Sequence, residues 1–207
     1  MKTDEVLQKE VQVSYPSIAA ISKNIGVLKV NANLNGSKLA LKDVLLLMPT
    51  MRSMEPFKSS PNSVFKINGK VAGQVNNLKV DNFEIAGLNN TRIKASATIK
   101  GLPDVNKVYA DVNLMDFNTS QADIAKLIPA GTIPSSVSIP QNMNLKGTFK
   151  GGMKNFMTKL NLSSSYGGMN LVASMKNGTN KRSASYTANI KANDLNVGAL
   201  TKQPQIR

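Results

Sequence analysis

The chain contains no cysteine, no histidine and no tryptophan. Without a thiol or an imidazole it can hold no cysteine nucleophile, no Ser-His-Asp triad, no zinc centre of ordinary type and no disulfide framework. Aromatic residues make up 5% of the 207 positions, so a core must be thin and mainly aliphatic. Long apolar runs are also missing. No stretch approaches the ~20 residues of a membrane-spanning helix, and Lys2, Asp4, Glu5, Lys9 and Glu10 interrupt the start where a signal peptide would be apolar. The expectation is a soluble segment cut from a longer protein, with no cofactor.

Acidic residues are scarce: 12 stand against 26 Lys and Arg, for a net charge of +14. None lies between Ile124 and Asn193, a stretch that holds Lys126, Lys146, Lys150, Lys154, Lys159, Lys176, Lys181, Arg182 and Lys191. Such a surface would attract a polyanion or an anionic membrane. Lysines alternating with apolar residues would equally solvate the outer face of a sheet and block edge pairing.

What is present is a repeat. Residues 65–122 slide onto 143–200 without a gap, an offset of 78. Gly69 and Gly73 land on Gly147 and Gly151, Asn77 on Asn155, Ala110 on Ala188, and Asp116 and Asn118 on Asp194 and Asn196. Pairs that differ keep apolar character and phase: Val71 with Phe149, Ile93 with Leu171, Ala95 with Ala173, Ala97 with Met175, Val112 with Ile190. A period of this size points to units that stack through shared edges.

Within each unit the hydrophobic period is two. Arg92 to Lys100, Val108 to Leu114 and Tyr186 to Ala192 alternate without error, giving strands with one wet and one dry face. Gly87, Gly101, Gly167-Gly168 and Gly178 mark turns between antiparallel strands of roughly 7 to 9 residues. Asn35-Gly36 predicts a hairpin between Val27–Leu34 and Lys38–Val44. Asp43–Pro49, Asp123–Pro129 and Asn196–Pro204 each read as a short helix with an Asp or Asn cap and a Pro stop. Residues 1–26 suggest a short helix or irregular stretch. Ile128 to Pro140, with Pro129, Pro134 and Pro140, reads as an extended connector, and Met48, Met51, Met54 and Phe57 as an apolar plug in its counterpart. The predicted fold is mainly β: an antiparallel meander of ~78-residue repeats, curled into an open U-shaped groove or incomplete barrel, with short helices at unit ends. The organisation is one array: 1–64 with the tail of a first unit, 65–142 as a complete repeat and 143–207 as a second.

These features resemble AsmA-like proteins of the bacterial envelope, including the TamB group. The resemblance covers roughly residues 27–207 and rests on Gly-x-x-x-Gly opening a unit, the Gly-Leu-Pro-Asp turn at Gly101 to Asp104, and the Asp-x-Asn exit into a short helix. It implies a periplasmic protein anchored to the inner membrane by a helix outside this segment. It further implies an apolar β groove that carries phospholipid or assists outer-membrane assembly, with outer-membrane assembly proteins as possible partners.

The residues assigned to the groove lining are Ile93, Ala95, Ala97, Ile99, Val112, Leu114, Leu171, Ala173, Met175, Ala188 and Ile190. Their alternation is equally that of a closed, self-filled core. Lys146, Lys150, Lys154 and Lys159 are the candidates for an anionic head group. A basic nucleic-acid-binding module is the competing reading, weakened by aromatics too scattered to form a stacking platform. Paired carboxylates are the catalytic chemistry left, and the closest sets, Asp81/Glu84 and Asp111/Asp116, read as structural: Asp111 on the wet face, Asp116 in a repeat-defining turn. No acidic ladder for calcium is present.

Overall fold

In the computed structural model, residues 11–14, 24–47, 52–53, 55–180, 182–203 and 205 are described. Val11–Ser14, read as part of a short helix or irregular stretch, is instead a strand paired with residues 29–32, and the rest of that expected helix, Met48, Met51, Met54 and the proline stops Pro49 and Pro204 lie outside the described residues.

Eleven strands form one antiparallel sheet: β1 (Val11–Ser14), β2 (Lys29–Asn33), β3 (Ser37–Ala40), β4 (Val64–Gln74), β5 (Asn77–Gly87), β6 (Thr91–Lys100), β7 (Tyr109–Ser120), β8 (Asn142–Gly152), β9 (Phe156–Ser164), β10 (Gly167–Lys176) and β11 (Ser185–Asn193). Short helices follow β3, β7 and β11: α1 (Leu41–Leu47), α2 (Gln121–Leu127) and α3 (Val197–Thr201). From β4 onward each strand pairs with the next in sequence, and β1 and β11 end the path without meeting, so the sheet does not close into a barrel. From β4 onward the strands run 9 to 12 residues. That exceeds the predicted length because several turns are tight, such as Val75-Asn76 and Ser165-Tyr166.

The Asn35-Gly36 hairpin does not form. β2 and β3 both pair antiparallel with β4, at its two ends, so they are one strand interrupted at residues 34–36. Two side chains replace the missing ladder bonds there: Gly36 N–H donates to Asn68 Oδ1 and Gly69 N–H donates to Asn35 Oδ1, both at 2.8 Å. The strand then stops at Ala40, and the helix begins at Leu41, two residues ahead of the predicted Asp43.

Register shifts gather in the first complete unit. β5 carries an extra residue around Asn82, with Asn82-Phe83 opposite Gly69 of β4 and Asp81-Asn82 opposite Ser96 of β6, and β7 another at Met115-Asp116. The first lies beside Gly69 and Ser96, with Asn82 N–H donating to Ser96 Oγ, and the second beside Lys94-Ala95 and Lys146. Bulges in line across a sheet bend it along that line. The pairings β8–β9, β9–β10 and β10–β11 show no such shift.

The two units therefore match differently along their length. β4 and β8 keep the offset of 78 at both ends. The bulge missing from β9 removes one residue and the shorter β9–β10 turn a second, so Ala97 occupies the place of Ala173 rather than Met175, and Val112 that of Ala188 rather than Ile190. The gapless alignment picks the right face and the wrong row, since a slip of two residues keeps every side chain on its side.

All three helices sit at one edge of the sheet, where β7 ends and β8 begins; the turns 75–76, 101–108, 153–155 and 177–184 form the other. The buried apolar side chains among the described residues are Leu28, Ala32, Ala40, Leu41, Leu45, Phe65 and Ile67, all around β2–β4 and α1.

Candidate functional site: an open apolar face

Paired residues of antiparallel strands point to the same side, so the register lists can be followed as rows across the sheet. One row runs Val71, Val80, Ala97, Val112, Phe149, Thr158, Ala173, Ala188. Next to it run Ala95, Leu114, Gly147, Leu160, Leu171 and Ile190. Flanking rows hold Ile85, Ile93, Phe117, Leu145, Leu162 and Met169 on the helix side, and Leu78, Ile99, Ala110, Gly151, Phe156, Met175 and Tyr186 on the turn side. All eleven residues assigned to the lining fall on this one face.

None of those eleven is fully buried: nine are half-buried, and Ala188 and Ile190 are exposed, Ile190 at 58%. A single sheet has no second layer to cover its dry face, which is why the alternation produces no packed interior beyond β4. The lining that sequence reasoning missed is aromatic. Phe83, Phe117, Phe149 and Phe156 join the same rows, and the Phe149 and Phe156 rings stack with centroids 5.6 Å apart. Their phase was readable in the same alternation.

Lys146, Lys150 and Lys159 lie on the opposite, wet face, and Lys154 in the turn between β8 and β9. None is brought to the apolar rows. Lys150 Nζ is 2.9 Å from Asp111 Oδ2, and that hydrogen-bonded carboxylate holds the ammonium above its ordinary pKa. The remaining carboxylates are similarly occupied: Asp81 by Lys79 at 3.1 Å and Glu84 by Arg92 at 3.0 Å. Asp116 lies within β7, not in a turn, and accepts from Asn118 and Asn144 side-chain amides. Among the described residues no group of three Asp or Glu could hold a metal ion.

At the helix edge a cavity of about 270 Å³ opens between α2, the 128–140 connector, β9–β10 and α3. Ile124, Ile139, Met143, Leu162, Met169 and Leu200 line it, so it continues the row nearest the helices. The connector is pinned, not free. Ser138 N–H donates to Leu200 O at 2.7 Å, and the Ser138 and Tyr166 hydroxyls meet at 3.1 Å. The preceding connector behaves alike, with Ser59 Oγ donating to Lys126 O of α2 at 2.9 Å.

Asp123 secures this edge. It does not cap α2; Ser120 does, accepting from Asp123 N–H. The Asp123 carboxylate, 0% exposed, instead reaches the β5–β6 turn, taking the Asn90 N–H at 2.7 Å, the Thr91 hydroxyl at 2.9 Å and the Asn89 N–H at 3.3 Å. Burial alone would push the carboxyl up, but these three donors outweigh it and hold the pKa below the ordinary range. In α3 the cap is Asn196, accepting from Ala199 N–H at 2.8 Å. The counterpart of Asn196 is thus Ser120, not Asn118.

No protein-family model, no curated protein and no solved structure matches this chain.

Proposed function

We propose that the apolar face is a trough for the acyl chains of phospholipid or another chain lipid, and that the chain is a non-enzymatic segment of an AsmA-like envelope protein. On this reading it works in the periplasm, in a protein anchored to the inner membrane, in lipid transfer or outer-membrane assembly. The observation that carries the reading is the continuous set of apolar rows from β4 to β11 left half-exposed by a sheet with no second layer. A guest laid there gains about 0.8 kcal/mol for each methylene it removes from water. Five of the six phenylalanines face the trough while Lys146, Lys150 and Lys159 face away; on the wet face Tyr109 pairs with Lys100, a single ring rather than the row of aromatics on which a single-stranded nucleic acid stacks.

The test is titration of the purified chain with a fluorescent C16 fatty acid, alongside native mass spectrometry after extraction from cells. Saturable binding, lost when Leu160 and Leu171 are both changed to Glu, is the expected result. Absence of binding, or binding indifferent to that double substitution, rejects the trough.

A further inference from the structure

β11 ends the sheet with all nine residues exposed, Tyr186 at 69% and Ile190 at 58%. It is the last strand of its unit, the position that β7 holds in the unit before and β2 in the one before that. Those two strands have partners. β7 is covered by β8 and β2 by β4, each covering strand being the first of the following unit.

Both covering strands have the same relief on the apolar face: glycine, a large residue, glycine. In β4 these are Gly69, Val71 and Gly73; in β8 they are Gly147, Phe149 and Gly151. The glycines stand opposite side chains of the preceding strand. Leu114 faces Gly147, Ala110 faces Gly151 and Val30 faces Gly73, while Ala32 faces Val71 and Val112 faces Phe149. Along the same three rows β11 carries Tyr186, Ala188 and Ile190: large, small, large. That is the complement of glycine, large, glycine.

We infer that the free edge of β11 is a docking site for one further strand of the β4/β8 type, Gly-x-Φ-x-Gly with Φ large and apolar, supplied by another unit of the same kind. Backbone pairing along the edge supplies the affinity, and the Tyr186 and Ile190 side chains over two glycines set the register. The apolar rows of the sheet then continue across the junction. This inference is independent of what the trough holds.

The experiment uses the whole chain and a dye-labelled synthetic peptide of residues 142–152, followed by fluorescence anisotropy and by amide hydrogen exchange. Bound peptide is expected to slow exchange in β11 at least tenfold while leaving β5 and β6 unchanged. A peptide with valine at both glycine positions should bind at least tenfold more weakly. The protein variant Ala188→Phe, filling the slot for Φ, should lose binding by a similar factor at an unchanged melting temperature. Equal binding of the two peptides, or protection elsewhere than β11, overturns the inference. So does β11 protected before any peptide is added, which would assign the edge to a second copy of the chain.

Discussion

Asp123 shows how a single buried carboxylate can decide the behaviour of an edge. Its three donors belong to the turn joining two strands, and its own backbone N–H goes to Ser120 Oγ. Asp123→Ala removes the acceptor from the Asn89 and Asn90 amides and leaves the Thr91 hydroxyl with Thr119 alone, and a loss of about 2 kcal/mol in urea unfolding is expected. The pH dependence follows from the depressed pKa. A carboxylate held lower in the folded state than its unfolded value of about 4 contributes stability above that value, and loses it as pH falls through the folded pKa. Asp123→Asn should remove that part of the acid sensitivity. Gly147 is a second such residue: at φ +152° an added Cβ would lie 2.0 Å from Lys159 O, so Gly147→Ala should cost roughly 2 kcal/mol or more in thermal unfolding.

Individual elements depend on caps and bulges more than on helix propensity. α2 is a seven-residue helix, too short to stand alone, and its Ser120 cap is its local start signal. Ser120→Ala is expected to cost about 1 kcal/mol, seen as faster amide exchange in α2 before the strands respond. The strands from β4 onward, their faces and the three short helices were legible in the sequence because alternation and Pro/Asn punctuation are local; β1, in a stretch that reads as helix or irregular, was not. The broken β2–β3 strand was not. Asn35-Gly36 has hairpin chemistry, and only the distant Asn68 and Gly69 turn it into a kink. Nor were the rows of β10 and β11 legible, since the bulge at Asn82 and the longer β5–β6 turn change the count without changing the alternation. Of the site, sequence located the apolar face, but the lysines' opposite placement needs the register and the helix-edge cavity needs the pinned connector.

For the whole molecule the decisive property is that burial is uneven. Buried apolar side chains sit around β2–β4 and α1, while β8–β11 hold their apolar face half-open or open. Stability should be graded in the same way. Hydrogen exchange is expected to be slowest in β4 and β5 and fastest in β11, with a bound acyl chain slowing β8–β10 most. Exchange that is uniform along the sheet, or unaffected by a lipid that demonstrably binds, would contradict this gradient.

The bulges have a further consequence for how such a chain can diverge. A one-residue insertion inside a regular strand inverts every side chain beyond it, but one accommodated as a bulge does not. β5 has such a residue and β9 does without it, yet both deliver their side chains to the same face. Bulges and turn lengths are therefore the places where copies of the unit can gain or lose residues while keeping the trough.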